Sequence, residues 1–235
     1  MRGQLKWTAR AWLCIAGVAL TLAAGTARAE VAAADPIDAA MRACLARSDR
    51  STTAGQVQCM EAAQLAWQSA VDTAWQQLQA VAPASQRRGW ETSQRRWKAW
   101  REAEAPLLRA AFATTHGTMS ALSEADMQLQ PVRDRALALR AAAANMSHGD
   151  GPLPHVRPCS SDAECEHATF DLNRYFRALR AKLPQHARPA LVRAQRMWMA
   201  YRDAMAPLVD EPSRVDIIGA RVATLKRLSG MVGNS

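Results

Sequence analysis

"SQRRWKAWREAEAPLL" (Ser93–Leu108) returns a hundred and one positions later as "AQRMWMAYRDAMAPLV" (Ala194–Val209), with Gln, Arg, Trp, Arg and Ala-Pro-Leu in register. The register reaches further without a gap: Leu78 matches Leu179, Ala80 matches Ala181, Pro83 matches Pro184 and Arg87 matches Arg188, while Trp75 stands opposite Phe176. Composition bias towards alanine does not keep four residue types in step, so the chain reads as an internal duplication.

Both copies carry helical patterns. Trp90, Gln94, Trp97, Arg101 and Leu108 lie along one stripe of a helix, as do Leu191, Gln195, Trp198, Arg202 and Val209. Thr53-x-x-Gln56 and Ser161-x-x-Glu164 read as capping boxes that open a first helix in each copy, closed near Ala82 and Leu183. Second helices are expected over 85–105 and 187–206, ending where Pro106 and Pro207 disfavour continuation. Third helices are expected over 122–144 and 213–228, the last with Val215, Ile218, Val222 and Leu225 on one face. With few β-branched runs and no hairpin dipeptides, the expected class is all-α: two related helical-hairpin or three-helix units in tandem.

The chain opens with a basic start at Arg2, Lys6 and Arg10, a short apolar run over 11–25, and Ala27-Arg28-Ala29 as a small-x-small cleavage site. These are the marks of a signal peptide over 1–29, cleaved after Ala29, and imply a periplasmic or secreted protein. The apolar run is too short to span a membrane. "SHGDGPLPHVRP" at 147–158 concentrates Gly and Pro as a linker does, giving a first domain over 30–146 and a second, shorter one over 159–235.

Removing Arg2, Lys6, Arg10 and Arg28 from the 30 basic residues leaves 26 against 21 acids, a net +5 in place of +9. No dense Lys/Arg cluster marks a nucleic-acid binder. Cys44, Cys59, Cys159 and Cys165 remain, an even number that favours disulfides in an oxidising compartment. Local pairing, Cys44 with Cys59 and Cys159 with Cys165, is the simplest of the three connectivities that four cysteines allow.

The repeated phrase has a structural reading first. Trp97 and Trp198 serve as core anchors, Arg101 and Arg202 lie on an indole face or satisfy carbonyls near a helix end, and Gln94 and Gln195 bond the preceding helix. The sharper alternative is a ligand site shared by the Trp, the Arg and Glu102 or Asp203. Arg95 and Arg96 among Trp90, Trp97 and Trp100 also suit an amphipathic surface or an anionic polymer.

A cysteine-bearing helix followed by "AQRMWMAYRDA" resembles the LprI-like lysozyme inhibitor family of small helical exported bacterial domains. The second copy carries the resemblance from Cys165 through "DLNRYFRAL" (Asp171–Leu179). The first carries it from Cys44 and Cys59 through Asp72, Trp75 and "SQRRWKAWREA". Where the family often has another cysteine after its Arg-acid pair, these copies read "EAP" and "MAP". The resemblance implies non-catalytic binding of a lysozyme or another envelope protein, with no cofactor and no metal. The alternative is a scaffolding module for a different envelope protein or an anionic polymer. A net +5 gives no steering towards a cationic lysozyme unless an acidic patch intervenes, for which Glu102, Glu104, Glu124 and Asp126 are the candidates.

Enzymatic signatures are lacking. The chain has no Gly-rich phosphate loop, no G-x-S-x-G and no H-E-x-x-H, and Cys159, Cys165 and His167 make a poor metal corner if the thiols are oxidised.

Overall fold

A computed structural model describes residues 35–147 and 157–233. The signal-peptide reading at 1–29 and all but the ends of the 147–158 linker lie outside them. Among the described residues there are helices and no strand: α1 Pro36–Leu45, α2 Thr53–Val81, α3 Ala84–Phe112, α4 Thr118–Ser147, α5 Ala163–Lys182, α6 Arg188–Met205 and α7 Glu211–Met231.

Local chemistry fixes the helix starts. Asp35 accepts a bond from the Ile37 amide at 2.9 Å, with Pro36 in the first turn, and so opens α1, a helix that the repeat pattern had not revealed. The expected capping boxes are each displaced by one residue. Thr52, not Thr53, caps α2 by accepting from the Gly55 amide at 3.1 Å, and Asp162, not Ser161, caps α5 by accepting from the amides of Glu164 and Cys165. At the α2 start Gly55 lies so close to the turn Ser48–Arg50 that a Cβ there would stand 2.8 Å from the Arg50 Cα.

The two equivalent prolines act differently. Contrary to expectation, α3 runs through Pro106 to Phe112, because the turns beyond the proline bury Leu107, Leu108, Ala111 and Phe112. That burial offsets the lost backbone hydrogen bond. In the second copy α6 ends at Met205, a 3₁₀ turn holds Ala206–Leu208, and Asp210 already caps α7 by accepting from the Ser213 amide at 2.9 Å. The third helices extend past their expected ends, with Pro131 inside α4.

Packing answers why the phrase occurs twice. Within the first copy α2 packs along α4, and within the second α5 packs along α7. The helices that carry the repeated phrase, α3 and α6, pack against each other, so the phrase forms both sides of the junction between copies. The core is correspondingly one continuous cluster, running from Trp67 and Leu78 through Trp97 and Trp198 to Leu225 and Leu228. Two disulfides fasten its edges, Cys44–Cys59 tying α1 to α2 and Cys159–Cys165 tying the turn Cys159–Ser161 to α5. Helix α1 is also held to α4 by ion pairs, Asp38 with Arg133 at 2.7 Å and Asp35 with Arg140 at 2.6 Å.

Candidate functional site: an aromatic-floored cleft at the junction of the copies

Trp90, Trp97, Trp198 and Val209 of the stripe read from the sequence line a cleft between the copies. Trp97 and Trp198 are 3% and 1% exposed, and Trp100 stacks on Tyr201 with ring centroids 5.5 Å apart and planes 10° from parallel. Above these rings α4 and α7 stand apart as two walls, enclosing about 790 Å³. That is within the range of small-molecule sites.

Two buried arginines, one from each wall, reach the same element of each copy. Arg135 of α4 donates through Nε to Gln94 at 2.8 Å, and Arg221 of α7 donates through Nε to Gln195 at 3.0 Å. Gln94 and Gln195 therefore bond the helix that follows theirs, not the preceding one. Each guanidinium then crosses into the other copy. Arg221 Nη1 donates to Glu104 Oε1 at 2.6 Å, and Glu104 Oε2 also accepts from Trp100 Nε1 at 3.1 Å. Arg135 Nη1 reaches the place equivalent to Glu104 and finds Met205, its sulfur 3.3 Å away.

The third donor differs in the opposite sense. Arg135 Nη2 donates to Ser93 Oγ at 3.0 Å, whereas the equivalent of Ser93 is Ala194 and Arg221 Nη2 has no partner. Arg135 is thus a buried cation, 1% exposed, with no carboxylate among the described residues in ion-pair range. Its guanidinium lies 5.6 Å from the Tyr201 ring. Desolvation pushes its pKa down from the usual arginine value, and the neighbouring Tyr201 opposes that shift.

The mouth of the cleft is acidic. Asp126, Asp134, Asp210 and Asp216 line it, and only Asp126 is tied to a basic side chain of the lining, Arg227. Asp134 is half-exposed, and desolvation raises its carboxyl pKa above the ordinary value, outweighing the Arg133 charge 3.9 Å away.

The remaining repeat residues lie elsewhere. Arg101 donates to the Gln128 carbonyl at 3.0 Å, and desolvation lowers its pKa. Arg202 lies over the Trp198 ring at 5.5 Å and holds Asp203 at 2.7 Å. Glu102 and Asp203 are exposed and do not line the cleft. In the second copy Trp198, Arg202 and Asp203 sit together, the latter two outside the cleft, whereas in the first Arg101 turns to the Gln128 carbonyl. Of the candidate acidic patch, Glu104 is buried in its ion pair, while Asp126 belongs to the mouth. Cys159 and Cys165 are joined to each other, and no cluster of His, Cys, Asp or Glu among the described residues has the makings of a metal site.

Arg135 and Arg221 were missed in the sequence, although a signal exists. The buried face of α7 runs Arg214, Ile218, Arg221, Leu225, Leu228, steps of four and three that include two arginines. A charged residue at such a register marks a buried network.

Comparison with known proteins places this architecture. The family model described as lysozyme inhibitor LprI matches residues 32–139 and 158–231, one segment for each copy. A crystal structure of an uncharacterised protein from Burkholderia thailandensis is 61% identical and superposes with a TM-score of 0.83, covering 86% of this chain and 100% of that one. None of the curated proteins matches at a significant level.

Proposed function

This chain belongs to the LprI family of lysozyme inhibitors, and from that premise we propose that it is exported and acts without catalysis, by binding a lysozyme at the acidic mouth of the cleft. The observation that carries the reading is the placing of charge. The mature chain is net basic, so its field as a whole repels a cationic enzyme, but Asp134, Asp210 and Asp216 gather at one concave opening. A local patch of the right sign steers and orients a partner even where net charge does not. The aromatic and aliphatic surface below the rim supplies the apolar centre that a protein interface needs. Two disulfides suit an oxidising compartment, and no described helix is long and apolar enough to cross a membrane.

The test is lysis of cell-wall substrate by a panel of cationic and acidic lysozymes, with the oxidised protein from Glu30 onward added at increasing ratio. Stoichiometric inhibition of a cationic member is expected, weakening with salt and weakened again by Asp134→Asn with Asp216→Asn. Undiminished lysis across the panel at molar excess would remove lysozyme as the partner. Inhibition that ignores the double substitution would move the surface away from the cleft.

A further inference from the structure

The duplicated architecture contains its own template for a ligand. Arg135 and Arg221 occupy corresponding places, each fixed through Nε by the glutamine of its own copy and each presenting Nη1 to the same position of the other copy. At one of these places the chain supplies a carboxylate, Glu104, and at the other only the thioether of Met205. A thioether is a weak acceptor and leaves the charge uncountered, whereas a buried cation is ordinarily held by an anion.

Other polar atoms of the lining are also buried without a partner: two donors, Trp90 Nε1 and Arg221 Nη2, and one acceptor, Gln86 Oε1. Met205 also lines the cleft, and its unbranched side chain is the kind that shifts to make room. Around this polar point the lining is apolar, with Trp97, Ala138, Ala142, Ile217, Ala220 and Leu208 among the walls and floor.

We infer that the floor of the cleft is a binding site for a small amphiphilic carboxylate, a single carboxylate on an alkyl chain, with the charged end on Arg135 and the chain along the aromatic floor. The ligand carboxylate takes, at Arg135, the role that Glu104 plays at Arg221. Asp134, Asp210 and Asp216 at the rim oppose entry of a carboxylate only in part. Asp126 is neutralised by Arg227, and a single charge on an apolar body passes a rim that a multiply charged polymer would not. This site does not rest on lysozyme binding, which is argued from the acids of the rim and not from Arg135 or Met205.

Dodecanoate, kept below its micellar concentration, is the probe. Calorimetry and intrinsic tryptophan fluorescence of the oxidised protein follow its binding, with dodecanol and dodecyltrimethylammonium in parallel. One saturable site is expected, at least about ten-fold tighter for the carboxylate than for the alcohol, the discrimination of one charge-assisted contact. Arg135→Met should remove that preference. Met205→Glu places a carboxylate within the fold beside Arg135, and should abolish dodecanoate binding while thermal unfolding stays at or above that of the wild type. Since this second variant adds a counter-charge, it carries the test if Arg135→Met does not fold. Equal binding of alcohol and carboxylate, tighter binding of the cation, or a folded Met205→Glu variant that still binds dodecanoate would each overturn the assignment.

Discussion

Trp100 and Tyr201, stacked at 5.5 Å, are the same position of the repeat, one from each copy. Together with the reciprocal contacts of Arg135 on Met205 and Arg221 on Glu104, this meeting of counterparts places a pseudo-twofold axis between the two rings. The pattern is that of a symmetric dimer interface, where residue i meets j and j meets i, written into one chain.

Trp97 and Trp198 flank that axis, and truncating either empties a well-packed site at the junction of the copies. Trp198→Ala is expected to cost about 3–5 kcal/mol, as large-to-small changes of buried aromatics do. Urea unfolding reads the difference directly. A midpoint equal to that of the wild type would show that the indole is not a core anchor.

Glu104 and Arg221 form a fully buried ion pair between the copies, with side chains 3% and 0% exposed. Removing one partner leaves the other charge without its counter-ion, so Glu104→Gln should cost about 3–5 kcal/mol. Replacing both with methionine, the residue that copy two already carries at this place, should recover most of that loss. If the double variant is as unstable as the single one, the pair contributes through packing and not through charge.

Much of this architecture is legible in the repeat. The ungapped register from Leu78/Leu179 to Ala-Pro-Leu gave the copies, and the stripe through Trp90, Gln94 and Trp97 gave the buried face of α3. Pro106 was misread because a proline reports only the local backbone cost, and the burial of Leu107 and Leu108 beyond it is a tertiary fact. The capping boxes slipped by one residue because Thr52 and Thr53, and Ser161 and Asp162, are adjacent cap formers that pattern alone does not rank. The cleft was invisible for a different reason. Arg135 and Arg221 are 41 and 26 residues from the glutamines that they bond, so the first-copy loop is longer and the ungapped register that revealed the repeat does not extend to them.

The two disulfides differ in the loops they close, 15 residues against 6. On the chain-entropy view the longer loop stabilises by about 3 kcal/mol and the shorter by about 2 kcal/mol. Cys44→Ser with Cys59→Ser should therefore lower the unfolding midpoint more than Cys159→Ser with Cys165→Ser, by a margin of about 1 kcal/mol. Paired variants avoid free thiols and isolate the crosslink. The reverse order would show that the shorter bridge holds native geometry at the start of α5 in addition to closing its loop.

Acid should loosen the α1 end of the molecule first. Asp38 accepts three bonds from Arg133, two from Nε at 3.0 Å and one from Nη2 at 2.7 Å, and this contact holds its carboxyl below the ordinary value of 3.8. The carboxyl is covered mainly by the arginine lying over it at the molecule's edge, so the pair is partly screened and is worth about 1 kcal/mol or less. Because the folded pKa is depressed, the stabilisation is complete above the unfolded value and disappears as pH falls through the lower folded value. Asp38→Asn should accordingly be less stable than the wild type at pH 7, with the gap closing only below about pH 4. Urea midpoints at pH 7, 4 and 2.5 provide the comparison. A gap that persists unchanged at the lowest pH would mean that Asp38 contributes by shape alone and that its charge is not what fastens α1 to α4.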